Sequence, residues 1–229
     1  MNSYTRRFIA VVGIGVGMIM PLNRGFADRQ SFKQFSAEWW QWALSIPLPE
    51  NPILDDTGDK CMVGQRGAVW FLAGNAGGGS TARACAVPEG RTLFFPVINS
   101  VNIDTPNVCG QGPERIPVED LRAASAAFID GATNLVVEVD GEPVKTFDRV
   151  QSDVFAVVLP EENIFDPPCA DFGGAPAGIY SPAIDDGYYV QLNPLEPGQH
   201  TVHIHAENPS VSFTLDVTYS LTVVPVLLK

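Results

Sequence analysis

Basic residues are scarce in this sequence. Its 229 residues contain 14 Lys and Arg against 26 Asp and Glu, a formal net charge of −12. Residues 1–27 have the pattern of an export signal, and their removal leaves 11 basic and 26 acidic residues, a net charge of −15. A surface this acidic repels nucleic acid and anionic lipid, because proteins bind both through Lys and Arg. We therefore expect neither as a partner.

Recognisable catalytic motifs are also lacking. The chain has no Gly-x-Ser-x-Gly nucleophile elbow and no His-Glu-x-x-His zinc-protease motif. It has three His, all within one short segment, so a Ser-His-Asp triad has few candidates for its base. Disorder is excluded as well, because 45% of the residues are hydrophobic and 10% are aromatic. These absences favour a folded, non-catalytic protein.

The first 27 residues have the three parts of a signal peptide. Arg6 and Arg7 form the charged start, a short apolar stretch follows, and small residues ending at Ala27 precede a cut before Asp28. The general secretory route and the twin-arginine route both stay open. After cleavage no apolar run is long enough to span a membrane. We therefore expect a periplasmic or extracellular protein.

Four cysteines follow the predicted signal peptide, and an exported protein meets an oxidising compartment in which disulfides persist. No two cysteines are spaced as Cys-x-x-Cys, which argues against a zinc ribbon or a thioredoxin-type site. Four cysteines allow three pairings. We favour Cys61–Cys85 and Cys109–Cys169, because each pair flanks or follows a strand-like segment that folds back. Both are expected to be structural.

Hydrophobic periodicity predicts a mainly β fold for residues 28–229. Aromatic residues recur at helical spacing over residues 32–45, and residues 117–130 have the terminal signals of a second helix. Residues 99–116 and 160–186 are expected to be loops. Apolar or alternating segments predict about nine strands, at residues 68–73, 81–87, 93–98, 135–139, 144, 154–159, 188–192, 201–206 and 212–224. We therefore predict one disulfide-stapled β-sandwich domain, Greek-key or immunoglobulin-like, with two peripheral helices.

The three histidines are the strongest candidates for a functional site. On a strand, residues two apart share a face, so His203, His205 and Glu207 line one face while Val202 and Ile204 line the other. Two imidazoles and a carboxylate are ligands that suit Zn or Cu. The pattern predicts a metal site there. The alternative is an ordinary solvent-facing strand.

The segment from Gly198 to His205, Gly-x-His-x-x-His-x-His, resembles the copper-site strand of copper–zinc superoxide dismutases. In that family the two alternating His bind copper, and further His downstream complete the metal sites. Here no His follows His205, so the resemblance does not extend to dismutase activity. The C-terminal half also resembles immunoglobulin-like sandwiches in its strand pattern, and the whole chain is similar to a family of uncharacterised exported bacterial proteins. These resemblances imply no activity.

Two acidic segments are weaker candidates for a cation site. Residues 55–59, Asp-Asp-Thr-Gly-Asp, place several carboxylates in a turn, where extracellular modules bind Ca²⁺. Asp185 and Asp186 before Gly187 are a second candidate of the same kind. In both places the alternative is a turn rich in Asp and Gly.

Two functions remain open at this stage. The first is a non-catalytic module that binds a protein, a glycan or a surface, using aromatic residues expected in exposed loops, Phe172, Tyr180 and Tyr188. The second is a small metal-dependent exported enzyme or metal-binding protein built around His203 and His205. The surroundings of these two His side chains distinguish the alternatives.

Overall fold

The computed structural model describes residues 24–226, with side chains described from residue 31 onward. Two α-helices lie within this range, α1 (Arg24–Leu44) and α2 (Val118–Asp130). The strands of the same range are β1 (Val69–Phe71), β2 (Gly79–Pro88), β3 (Thr92–Ile103), β4 (Thr133–Val139), β5 (Glu142–Pro143), β6 (Asp148–Gln151), β7 (Phe155–Leu159), β8 (Gly178–Leu192), β9 (Gly198–Asn208) and β10 (Phe213–Val224).

The strands form two five-stranded sheets. Sheet A has the order β1-β3-β8-β6, with β7 paired to another part of the long strand β8. Sheet B has the order β2-β10-β9-β4-β5. Strand β1 runs parallel to β3 and β2 runs parallel to β10, and the other ladders between the described strands are antiparallel. The protein is thus mainly β, as the sequence predicts.

The main apolar core lies between the two sheets. Val202, Ile204 and Ala206 alternate along β9 and are fully buried, and they belong to one cluster with Phe95 and Val190 of sheet A. Alternation along the strand places these side chains on one face. Burial of each large apolar side chain contributes roughly 1.5–3 kcal/mol to the stability of the sandwich.

Helix α1 covers the outer face of sheet A. Trp39 and Trp42 are buried in a cluster with Phe94 and Tyr189 of the sheet, and the Phe94 and Tyr189 rings stack at a centroid distance of 5.2 Å. The Trp39 indole N–H donates to the Leu72 carbonyl at 2.9 Å. The aromatic stripe predicted from helical spacing is therefore a packing surface.

Helix α2 packs against β3 and β8 on the face of sheet A that looks toward sheet B. The Asn102 amide donates to the Ser125 hydroxyl at 2.8 Å, and Ile129 joins the core between the sheets. Its first residue is Val118, one residue inside the predicted range 117–130.

Both predicted disulfides are present. Cys61 is bonded to Cys85 with a Cα–Cα distance of 6.0 Å, and Cys109 is bonded to Cys169 with a Cα–Cα distance of 4.9 Å. The first attaches the loop before β1 to β2. The second connects the loop after β3 to the loop before β8. The β-sandwich is therefore disulfide-stapled as expected.

Some predicted boundaries are wrong. Helix α1 spans Arg24–Leu44 rather than 32–45, because helical backbone continues before the aromatic stripe from which the range was predicted. The loop expected over residues 160–186 is shorter in the structure, since β8 begins at Gly178 and pairs with β3, β6 and β7. The expected loop 99–116 likewise begins late, because β3 continues to Ile103.

Residues 1–23, most of the predicted signal peptide, lie outside the described residues, and its cleavage stays a prediction. Residues 24–27, its last four, lie in α1. Neither helix among the described residues combines the length and apolarity needed to cross a membrane.

Candidate functional site

His203 and His205 lie side by side on the outer face of sheet B. Asp216, directly opposite His205 on β10, lies between them. One of its carboxylate oxygens is 3.4 Å from His203 Nε2 and the other is 3.4 Å from His205 Nδ1. Glu138 on β4 approaches His203 Nδ1 at 3.6 Å. The two imidazoles therefore share one carboxylate on a partly exposed sheet surface.

Glu207 extends this surface along β9. Its Oε1 is 3.3 Å from His205 Nε2, and its Oε2 accepts a hydrogen bond from the Asn134 amide at 2.7 Å. Among the described residues, no three His, Cys, Asp or Glu side chains converge in a metal-holding arrangement. The structure thus places His203, His205 and Glu207 on one face, as the alternation predicts. The metal site itself stays a prediction.

His200 belongs to a separate interaction. Its Nδ1 is 2.7 Å from Asp140 Oδ2, and its Nε2 is 2.9 Å from the Glu196 carbonyl oxygen. The Asp140 carboxylate raises the pKa of His200 above its ordinary value and also accepts from the Thr201 N–H at 2.8 Å. This histidine therefore attaches the turn after β4 to the start of β9.

The acidic turn at residues 55–59 is organised around one of its own carboxylates. Asp55 accepts hydrogen bonds from the N–H and hydroxyl groups of Thr57 at 2.9 and 2.8 Å, and from the Lys60 N–H at 2.8 Å. These bonds close the turn, and Ca²⁺ binding there stays a prediction. The prediction of an acidic turn at Asp185 and Asp186 is wrong. Both residues lie in β8, where adjacent side chains point to opposite faces of the sheet.

The aromatic residues expected in exposed loops divide into two groups. Phe172 lies in a short turn and is 63% exposed. Tyr180 and Tyr188 instead belong to β8. Tyr188 packs edge-on against Phe147 at a centroid distance of 6.2 Å. Only Phe172 of the three therefore has the surroundings that the sequence suggests.

Strand β3 has an unpaired edge over its second half. Its neighbour β1 pairs only with residues 92–94 of β3. The Leu72 N–H still donates to the Phe94 carbonyl, and after Leu72 the chain leaves the sheet. On the opposite side, β8 pairs with β3 as far as Ile103. Residues 99–103 are only partly buried. Among the described strands, none covers this edge.

The register identifies which backbone groups point outward. A bulge between Pro96 and Ile98 changes the alternation of β3. Beyond it the Asp104 N–H donates to Pro182 of the β8 segment at 2.9 Å, so even-numbered residues face β8. The N–H and C=O groups of Asn99, Val101 and Ile103 therefore face the unpaired edge. No backbone or side-chain hydrogen bond of the described residues is seen to reach them.

This edge borders a groove with apolar walls, which we call the edge groove. Its first part, of about 310 Å³, lies over Asn99, Ser100 and Val101, and its second, of about 190 Å³, lies over Val101 to Ile103. Val101 and Phe165 line both parts. The walls of the first part comprise Trp39, Trp40, Leu44, Ile164 and Phe165 on the α1 side and Phe128, Phe213 and Leu215 on the sheet B side.

A buried polar cluster lies directly behind the edge groove. The Trp40 indole N–H and the Tyr189 hydroxyl both donate to Asp185 Oδ1 at 2.7 Å, and the Asn99 amide donates to the Tyr189 oxygen at 3.1 Å. Burial raises the pKa of Asp185 to about 7, although the hydrogen bonds from Tyr189 and Trp40 act in the opposite direction. The cluster holds Trp40 and Asn99 in position along the groove.

Arg83 positions two loops that line the first part of the edge groove. This side chain of β2 is 2% exposed and donates to the carbonyl oxygens of Ile53, Ala73 and Gly74 at 2.8–3.2 Å. It also donates to the Asp55 carbonyl at 2.6 Å. One buried guanidinium thus holds two loops against each other, and both loops contribute groove residues.

Sequence reasoning missed the edge groove, because its wall residues come from α1, α2, β3, β7, β10 and four loops. Comparisons with protein-family models, with curated proteins and with solved structures found no match. Any assignment of function to this chain therefore depends on its own residues.

Proposed function

We propose that this protein is an exported, non-catalytic module that binds a partner through the edge groove. The observation that carries this proposal is the apolar cavity of about 310 Å³ along the unpaired part of β3. Ligand sites are typically concave, mostly apolar and furnished with a few polar groups. Asn99 and Ser100 are polar groups of this kind, and the remaining walls are largely aromatic or aliphatic.

The character of the walls favours a protein segment over a glycan. Glycan recognition needs free hydrogen-bond donors and acceptors beside aromatic faces, whereas the indole N–H groups of Trp39 and Trp40 are already donated to Leu72 and Asp185. Export to the periplasm or the cell exterior is part of this proposal, and the two disulfides are consistent with it.

Binding of the neutral dye Nile red tests whether the edge groove is a binding surface. We expect the protein to enhance the dye's fluorescence and Val101→Glu to weaken binding at least tenfold, because the new carboxylate enters the apolar groove. Val211→Glu is the matched control, since Val211 is 57% exposed and lies outside the groove lining. Equal binding by the protein and Val101→Glu, or no binding by either, would overturn the proposal.

A second candidate is a metal-binding protein or small metal-dependent enzyme that uses the histidine face of sheet B. The observation in its favour is that Asp216 lies 3.4 Å from a nitrogen of each of His203 and His205. Modest side-chain rotations would let these three groups, with Glu207 in reach, present imidazole and carboxylate ligands to Zn or Cu.

Titration calorimetry with Zn²⁺ and with Cu²⁺ tests this second candidate. Micromolar or tighter binding that is lost in a His203→Ala/His205→Ala variant and kept in His200→Ala supports it. Equally weak binding by the protein and the double variant excludes it. The three histidines thus provide both the variant and its control.

A further inference from the structure

We propose that the edge groove accepts an extended peptide segment of a partner protein, which adds to sheet A as a strand beside β3. The segment has a run of about five apolar residues flanked by Lys or Arg. This inference rests on the proposed function, because it specifies the chemistry of the partner that the groove binds. Its arguments are backbone complementarity, the walls of the groove and the local charge.

The backbone of β3 provides the first argument. Asn99, Val101 and Ile103 direct their N–H and C=O groups toward the groove, and a neighbouring strand supplies the complementary groups at the matching spacing. Unpaired strand edges are templates for another chain, and peptide recognition by strand addition uses them. A small apolar ligand would leave these groups without partners. An extended peptide satisfies them.

The walls provide the second argument. A strand beside β3 has one face toward α1 and the loop that carries Phe165, and its other face toward Phe128 and Phe213. Both walls are apolar. Strands buried on both faces consist of continuous apolar residues, whereas strands with one wet face alternate. The segment that fits the groove is therefore apolar on both faces.

Charge provides the third argument and selects a foreign partner over a second copy of this chain. The segment 160–178, which contributes Phe165 to the groove wall, holds Glu161, Glu162, Asp166 and Asp171 and no Lys or Arg. Three of these four are exposed. Lys and Arg on either side of the bound strand complement the negative charge of segment 160–178. A second copy of this chain carries the same excess of acidic residues and is repelled by that segment.

Selection from a phage-displayed library of random nonapeptides on the purified protein tests the inference. We expect the selected peptides to share a central apolar run with Lys or Arg at its ends. We also expect affinity to fall as ionic strength rises, since screening weakens the flanking charges. Selected peptides without this pattern, or no selected peptide, would overturn the inference.

Backbone methylation of one selected peptide then distinguishes strand addition from side-chain binding. We expect N-methylation at alternate amides, those that face β3, to weaken binding at least tenfold, and methylation of the intervening amides to change it less than threefold. Equal effects of the two sets would overturn strand addition. Peptides that bind the protein but not Val101→Glu, with no effect of methylation, would leave the proposed function standing without this inference.

Val101→Pro provides a matched change in the protein. The Val101 N–H faces the groove and not β8, so replacement by proline removes a donor to the peptide while the β3–β8 ladder is kept. We expect at least tenfold weaker peptide binding. Should this variant not fold, the methylated peptides decide alone. A protein that sediments as a dimer with residues 99–103 protected would identify a second copy as the occupant and overturn the inference.

Discussion

Tyr189 donates its hydroxyl hydrogen to Asp185 Oδ1 at 2.7 Å, and both side chains are completely buried beneath α1. The two residues are four positions apart on β8 and point to the same face. Among the described residues, the second carboxylate oxygen of Asp185 has no hydrogen-bond partner. A buried carboxylate in this position favours its protonated form, because ionisation places an incompletely compensated charge in the interior.

The first prediction concerns the pH dependence of stability. Burial raises the pKa of Asp185 to about 7 from an ordinary 3.8, so the folded protein keeps this proton at pH values where the unfolded chain has lost it. The group's contribution to stability is therefore fully present below the unfolded pKa and is lost as pH rises toward 7. An Asp185→Asn variant lacks this loss, and its amide retains the oxygen that accepts from Trp40 and Tyr189.

Urea denaturation of the protein and of Asp185→Asn measures this effect. Between pH 5 and pH 8 we expect the free energy of unfolding of the variant to rise relative to the protein by about 2–3 kcal/mol, from the part of the pKa shift that lies in this window. A difference between the two proteins that stays constant with pH would contradict the assignment of a near-neutral pKa to Asp185.

The second prediction concerns Arg83. Replacing this arginine with methionine keeps a long apolar side chain but leaves the carbonyl groups of Ile53, Asp55 and Gly74 without their donor. The Ala73 carbonyl loses one of its two donors and keeps the Tyr219 hydroxyl. Buried groups that lose their partner are costly, and we expect the free energy of unfolding to fall by about 3–5 kcal/mol. The exposed Arg66 is the control, and Arg66→Met should change stability by less than about 0.5 kcal/mol. Similar losses in both variants would show that Arg83 does not hold these loops.

The third prediction compares the two disulfides. Cys61 and Cys85 are separated by 24 residues and Cys109 and Cys169 by 60. Restriction of the unfolded chain then contributes about 3.5 and about 4.3 kcal/mol, respectively. In urea denaturation of paired Cys→Ala variants, we expect removal of Cys109–Cys169 to lower the free energy of unfolding more than removal of Cys61–Cys85.

Removal of Cys109–Cys169 should also weaken peptide binding, because both cysteines line the edge groove. Unchanged peptide binding without Cys109–Cys169 would show that the bridge does not shape the groove.

Much of the sandwich follows from local pattern. The alternation that buries Val202 and Ile204 also places His203 and His205 on the outer face, so the sequence predicts both the strand and its polar side. Strand β8 is harder to predict from sequence, because Asp185, Asp186 and Gly187 are typical of a turn. Their burial depends on partners distant in sequence, such as Arg149, which donates to Asp186 at 3.0 Å.

Strand β6, at residues 148–151, is missed for the same reason. It is short and largely polar, and pairing with β8 rather than hydrophobic periodicity keeps it in sheet A. The edge groove is even harder to predict from local sequence pattern. It exists because β1 ends at Phe71 while β3 continues to Ile103, a difference in strand length that becomes visible only once the strands are paired.

Amide hydrogen exchange of β3, measured by nuclear magnetic resonance with and without a saturating selected peptide, tests the central claim most directly. In the free protein we predict slow exchange at Ile98, Ser100 and Asn102, which face β8, and fast exchange at Asn99, Val101 and Ile103. The peptide should slow exchange at the second set alone. Protection of Asn99, Val101 and Ile103 in the free protein, or no change at these residues when the peptide binds, would contradict strand addition at the edge groove.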